Sequence, residues 1–214
     1  MVSRLILSTL ILPVNGCDVY KLTARMVQHF KSDLGKYHDL FDGGRCSSWE
    51  LEELIVRAIK SDTQAQHQVF WREAGHDDKE DINIDVGGVS HKVQVKSGRE
   101  SGGKLRLSGH RLGRFQGDLH AITDYLNTAG ANFITVPYQK VEDDTGRHHK
   151  YTICYIDVEN MRGLEVNKWE EHGKQHRQTN EKGVEFSLRP SMSWQIWWGI
   201  PLDLVERGRE LQIT

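Results

Sequence analysis

The sequence predicts an α/β domain whose core elements follow the order αβββαβ. Three observations carry this prediction: apolar positions that recur at three- and four-residue steps, stretches in which apolar and polar residues alternate, and a Gly-Gly dipeptide between two such stretches. The first is typical of amphipathic helices, the second of strands with one buried face, and the third of a tight hairpin. We therefore expect a mixed sheet flanked by helices, followed by a β-rich C-terminal extension.

Composition limits the class of protein. The 214 residues suffice for one domain with a sizeable core, and 27% charged and 37% hydrophobic residues are typical of a globular chain. Three widely spaced cysteines without a Cys-x-x-Cys pair argue against a zinc ribbon or a disulfide framework and favour a reducing, cytoplasmic setting. The short apolar segment 1–14 is broken by Ser8 and Thr9, so we expect it to belong to the fold rather than to an export signal.

Two helices are predicted ahead of the strands. Residues 18–41 have a helical apolar period and belong to an N-terminal helical segment, 1–46, that packs on the core. Ser47 can cap the next helix, with Glu50 three residues on as its capping-box partner. On a helical wheel Glu52 falls inside the apolar arc of this second helix, whereas Glu50 lies beyond one edge. A carboxylate within a buried arc needs a partner or a function.

The three strands of the core begin with a short one at 68–73 and continue with a hairpin. Its strands, 81–86 and 89–97, are joined by Gly87-Gly88, which can adopt the positive φ angles of a two-residue turn. The register set by this turn places Asp81 opposite Gln94.

The two faces of this hairpin differ in chemistry. One face is apolar and fit to be buried; it carries Ile82, Ile84, Val86, Val89, Val93 and Val95. The other face carries Asp81, Asn83, Asp85, Ser90, Lys92, Gln94 and Lys96. Such a polar face is usually just solvated, which is the plain interpretation of this one. The alternative is a functional site, because an acid, an amide and a lysine share a small patch.

The remaining elements follow from the same patterns. They are a polar loop at 74–80, a basic loop at 97–109, a helix at 112–127, and strands at 132–141, 151–158, 184–188 and 194–198. Pro137 predicts an edge position or a bend for its strand. The core then spans 47–158, and the extension 159–214 completes what we expect to be one compact domain.

The string Val93-Gln94-Val95-Lys96-Ser97-Gly98, preceded by an Asp that opens the hairpin, resembles the signature of the PD-(D/E)XK nuclease superfamily in its Gln-x-Lys form. It looks most like the Mrr-type restriction endonuclease branch. The resemblance covers residues 47–98 and extends more weakly to about Val136. It implies a restriction-endonuclease-like core and a magnesium-dependent endonuclease that hydrolyses double-stranded DNA, most simply a type II restriction endonuclease.

The resemblance also implies roles for individual residues. Asp81, Gln94 and Glu52 would hold Mg²⁺, and Lys96 would orient the attacking water or stabilise the charged transition state. In related nucleases the helix carboxylate lies in a Glu-x-x-(Ile/Val)-(Ile/Val) pattern, which here starts at Glu52. Gln94 offers only a neutral amide oxygen, so a helix carboxylate becomes necessary, with Glu50 as the alternative to Glu52.

Contacts with DNA are expected from the basic segment that follows the hairpin. The candidates for phosphate contacts are Arg99, Lys104, Arg106, Arg111 and Arg114. A solubilising loop is the alternative interpretation of this segment. Residues 159–193 are rich in side chains that match the donor and acceptor code of the major groove. Since one active site cuts one strand, a homodimer is expected.

Two other functions remain open at this point. The first is a modification-dependent or repair nuclease on the same fold, including enzymes that cut junctions. The second is a non-catalytic DNA-binding protein in which Gln94 marks a decayed site.

Overall fold

The structure is a computed structural model that describes residues 20–41, 45–63, 67–71, 81–144 and 146–213. The segment expected at 1–14 and the polar loop expected at 74–80 lie outside these described residues.

Within the described residues, the fold is α/β, with a mixed, largely antiparallel sheet of 11 strands and three α-helices. The helices are α1 Ala24–Leu40, α2 Ser48–Ser61 and α3 Leu119–Thr128. The strands are β1 His67–Trp71, β2 Ile82–Val86, β3 Val89–Ser101, β4 Lys104–Arg111, β5 Asn132–Asp143, β6 Gly146–Ile156, β7 Glu170–His172, β8 Gln175–Thr179, β9 Glu185–Arg189, β10 Gln195–Pro201 and β11 Glu206–Ile213. None of the described helices is long and apolar enough to cross a membrane.

Side-chain caps fix where the first two helices begin. Thr23 and Met26 form a capping box at the start of α1, so the helix begins later than the sequence pattern predicts. The predicted capping box of Ser47 and Glu50 is present at the start of α2. Gly35 lies within α1 without interrupting it.

The predicted hairpin is confirmed in its register. Val86 pairs with Val89 across a turn in which Gly87 and Gly88 both have positive φ angles, +59° and +84°. The last pair of the ladder at this end is Ile82 with Val93, so Asp81 lies just outside the ladder. The backbone N–H of Asp81 still donates to the carbonyl oxygen of Val93 at 3.0 Å. The turn chemistry therefore placed every residue of the hairpin on its expected face.

The polar face of the hairpin is not solvated along its whole length, in contrast to the plain interpretation. Gln94 is 2% exposed and Lys96 9% exposed, as buried as the apolar residues between and before them. The reason is the central position of β3, which pairs with β5 on one edge and with β2 and β4 on the other. Val89, by contrast, lies beside the turn and is exposed.

The basic loop predicted at 97–109 is wrong. Strand β3 continues to Ser101, a turn at Gly102 and Gly103 follows, and β4 returns along β3. The strand was missed because its alternation of apolar and polar residues is short: within β4, Leu105 and Leu107 are the buried apolar residues. Glycines and charged residues around these two leucines hide the pattern.

Two further expectations change. The helix predicted at 112–127 starts only at Leu119, because Gln116 and Gly117 have left-handed backbones and Asp118 caps the following N–H groups. Pro137 does not mark an edge, since β5 lies between β3 and β6; it stands opposite Gly98, the last residue of the β3–β5 pairing. Strands β7, β8 and β11 were not predicted, because they are mostly polar and exposed.

Two hydrophobic cores lie on the two faces of the sheet. The first is formed by α1, α2 and the apolar residues of β2, β3, β5, β6 and β11. The second packs α3 and the C-terminal region against β4, β5, β9 and β10. Among the described residues, neither core covers the outer face formed by the end of β3 and by β4, β8, β9 and β10, and this area is called the open face below.

Candidate active site

A gap in the sheet sets the position of the candidate site. Val93 pairs with Ile82 on one side and with Asn132 on the other, and Gly98 pairs with Leu107 and with Pro137 in the same manner. Strands β2 and β4 therefore share the edge of β3 that lies opposite β5. Between them, none of the described strands pairs with residues 94–97 on that edge.

Two side chains satisfy the backbone of β3 in this gap. Asp81 Oδ2 accepts a hydrogen bond from the backbone N–H of Val95 at 2.8 Å. Ser48 Oγ, in the first turn of α2, accepts one from the backbone N–H of Ser97 at 2.9 Å. Because buried N–H groups without a partner are costly, the gap depends on these two residues. It also brings the start of α2 to the same point as the start of β2.

Lys96 and Asp81 form an ion pair at the gap. Lys96 Nζ donates to Asp81 Oδ2 at 2.7 Å, and the two side chains are only 11% and 13% exposed. Two of the predicted site residues are thus in direct contact. The same carboxylate oxygen holds a backbone amide and an ammonium group, which fixes its orientation.

Glu52 reaches this pair from α2. Burial and, second, the negative charge of Asp81 together raise the pKa of its carboxyl to about 7, against the opposing positive charge of Lys96. Glu52 therefore lies within electrostatic range of both members of the pair. Glu50 does not, because its carboxylate caps α2 and accepts a hydrogen bond from the Ser47 N–H at 2.9 Å. Between the two alternatives, the structure brings Glu52 to the site.

Gln94 has a partner that was not singled out from the sequence. Its Nε2 lies 2.7 Å from His110 Nε2. An amide nitrogen can only donate, so the ring nitrogen accepts and the ring proton lies on Nδ1. Burial and, second, the positive charge of Lys96 lower the pKa of His110 to about 4, so the ring is neutral at pH 7. The bond orients the amide of Gln94 with Oε1 turned away from His110.

A β-bulge turns His110 toward Gln94. Gln195 pairs with Arg111 while Trp197 pairs with Ser108, so two residues of β4, Gly109 and His110, stand opposite one residue of β10. A Cβ atom at Gly109 would lie 2.2 Å from the ring of Trp198, so only glycine fits there. Because a bulge depends on the pairing partner, the sequence carried no signal for His110 beyond the glycine before it.

The predicted DNA contacts are spread over several surfaces. Arg99 and Arg106 lie on the open face, and Lys104 and Arg106 form ion pairs with Glu185. Arg114 stacks on Tyr125, with its guanidinium carbon 4.7 Å from the ring centroid. Arg111 is exposed at the end of β4. These five residues therefore do not form one cluster.

The donor atoms at the gap fit a magnesium ion in chemistry. Among the described residues, no group of three or more His, Cys, Asp or Glu side chains is placed to hold a metal ion. The gap instead offers two carboxylates, Asp81 and Glu52, and the amide of Gln94. Mg²⁺ prefers oxygen ligands and commonly takes only one or two carboxylates from a protein. Burial first, and the neighbouring charge of Asp81 second, raise the pKa of Glu52, and a divalent cation bound beside its carboxylate would favour the charged form.

No family model matches this chain, and neither the curated proteins nor the solved structures contain one that is similar to it.

Proposed function

We propose that this chain is a magnesium-dependent endonuclease with a restriction-endonuclease-like core, which hydrolyses phosphodiester bonds of double-stranded DNA. The observation that carries the proposal is the buried ion pair of Asp81 and Lys96 at the gap in β3, together with Glu52, whose carboxyl senses the charges of both. Gln94 lies two residues before Lys96 on the same face of β3. Three separate elements, α2, the start of β2 and β3, contribute these side chains. Buried acids and lysines are rarely gathered without a function, and a structural ion pair of one acid and one lysine needs no second acid.

The chemistry follows from what each side chain can do. When bound, Mg²⁺ would supply positive charge against the non-bridging oxygens of the scissile phosphate. Asp81 and Glu52 are the carboxylates that would hold it, with Gln94 as a neutral oxygen donor oriented by His110. Lys96 Nζ, held by Asp81, would present an ammonium group to the attacking water or to the developing charge.

The form of the enzyme is part of the proposal. We propose a type II restriction endonuclease that acts as a homodimer, because each copy contributes one such site and a duplex has two strands to cut. A modification-dependent or repair nuclease would use the same four residues. The sequence and methylation state of the DNA that is cut distinguish these forms.

The direct test is cleavage of long genomic DNA and supercoiled plasmid in the presence of Mg²⁺, with a chelator as the blank. The wild type should give discrete fragments, and Asp81→Asn should lower the rate by about 100-fold or more, since it removes a charged ligand from the reacting centre. Asp85→Asn is the matched control, because Asp85 has the same chemistry on the same strand but lies near the turn. It should keep the wild-type rate.

The proposal fails if folded wild-type protein cuts no DNA with Mg²⁺, or if Asp81→Asn cuts as fast as Asp85→Asn. Thermal melting curves of all three proteins show whether a lost activity reflects a lost fold.

A second candidate is a non-catalytic DNA-binding protein. The observation that favours it is Gln94 itself, which is 2% exposed and hydrogen-bonded to His110 where a more usual site has a carboxylate. Tight binding of DNA by the wild type without any cutting in Mg²⁺ is the result that this candidate predicts.

A further inference from the structure

A large groove lies on the open face of the sheet, outside the candidate active site. Its volume is about 1100 Å³, and its floor consists of outward-facing residues of β3, β4, β8, β9 and β10. The opposite faces of β4, β9 and β10 carry buried apolar residues such as Leu107, Leu188 and Ile196. Hence the groove is the uncovered side of a well-packed sheet and is named the open groove here.

The lining of the open groove is strongly basic. Its cations are Arg45, Arg99, Arg106, Lys168, Arg177 and Arg189. Of the described residues that line it, two are carboxylates, Glu170 and Glu185. The whole chain carries a formal charge of -2, so this surface concentrates positive charge against the overall balance.

The placement of one pair of these arginines, Arg99 and Arg106, is not favourable for the fold. Arg99 and Arg106 are direct cross-strand partners on β3 and β4, and like charges directly opposite each other destabilise a sheet. Glu185 neutralises Arg106 but is shared with Lys104. Arg189 lies flat over Trp197, with its guanidinium carbon 4.2 Å from the ring centroid, which leaves its charge at the groove. A polyanion bound in the groove would offset the repulsion.

One end of the open groove reaches the gap in β3. Ser97 and Gly98 line the groove, and Ser97 is the residue whose backbone N–H donates to Ser48 Oγ. Ser48 and Glu52 are four residues apart on α2 and therefore lie on the same side of the helix. The sugar-phosphate backbone of a nucleic acid lying in the groove would thus lead toward Asp81, Glu52 and Lys96 of the candidate site.

We propose that the open groove binds double-stranded DNA and that Arg177 and Arg189, on β8 and β9, contact its phosphates. This inference rests on the proposed function and extends it to a C-terminal surface that the predicted basic segment does not include. The chemistry of the lining favours a nucleic acid over a lipid or an apolar peptide, because arginines are interleaved with amides and hydroxyls such as Asn167, Gln175 and Ser187. An acidic protein is an outcome that the test separates.

The test uses full-length Asp81→Asn protein, in a chelator, so that binding is measured without cleavage. A fluorescently labelled 30-base-pair duplex is titrated by anisotropy at several salt concentrations. Arg177→Gln and Arg189→Gln should each raise the dissociation constant several-fold and lower the slope of log affinity against log salt by about 1. Arg209→Gln is the matched control, because Arg209 is an exposed arginine on β11, in the opposite part of the sheet.

The outcomes separate this inference from the proposed function. Binding that weakens in both groove variants but not in Arg209→Gln supports the groove even if the wild type cuts no DNA. Cutting by the wild type with unchanged affinity in both groove variants overturns the groove and leaves the nuclease in place. No measurable binding of the duplex, or equal binding of an acidic polypeptide in competition, overturns the inference.

Discussion

The ion pair at the gap in β3 and the ion pair at the open groove differ in how far they are exposed to solvent. At the gap, the side chains of Lys96 and Asp81 are 11% and 13% exposed. At the groove, the side chains of Arg106 and Glu185 are 37% and 40% exposed. Water screens the second pair and not the first. The buried charges at the gap therefore carry a desolvation penalty that lowers the stability of the fold. The exposed charges at the groove carry little such penalty. This difference is the one expected between a reacting site and a binding surface.

The largest expected effect is the loss of the buried lysine. Lys96→Met should lower the free energy of unfolding by about 3–5 kcal/mol at pH 7, because Asp81 keeps its burial and loses its counter-ion. Arg106→Met, in the exposed pair, should cost less than about 1 kcal/mol. Urea unfolding of both variants measures the contrast, and equal costs would remove the distinction between the two regions.

The second effect depends on pH. The folded protein raises the pKa of Glu52 from 4.5 to about 7, so the native carboxyl keeps its proton while the unfolded chain releases it. The stability that this proton contributes is complete below pH 4.5 and is lost as the pH rises to about 7. Glu52→Gln removes the dependence and should be more stable than the wild type above pH 7, by about 3 kcal/mol.

The measurement for Glu52 is the difference in unfolding free energy between variant and wild type from pH 4.5 to 8. The difference should vanish at the acid end and grow toward pH 7, and a constant difference would contradict the assignment. His110 titrates in both proteins, so its contribution cancels. Adding Mg²⁺ should stabilise the wild type more than Glu52→Gln, because binding to the native site is linked to folding.

Local patterns predicted the hairpin and α2 because each depends on neighbours in the sequence. The Gly87-Gly88 turn fixes the register of the hairpin, and Ser47 with Glu50 fixes the start of α2, so Asp81 and Glu52 could be placed in advance. The gap itself could not be predicted, because it depends on where β4 begins to pair with β3. The partner of Gln94 was missed for the same reason, since the bulge at His110 exists only against β10.

The smallest expected effect tests whether the groove trades stability for binding. Arg99→Gln removes the like charge opposite Arg106 and should raise the free energy of unfolding by about 0.2–1 kcal/mol. The same change should weaken binding of the duplex several-fold, while Arg209→Gln should change neither quantity. A gain in stability without a loss of binding would mean that Arg99 does not contribute to the binding of DNA. A gain together with a loss would show that the sheet keeps two opposed arginines because DNA neutralises them.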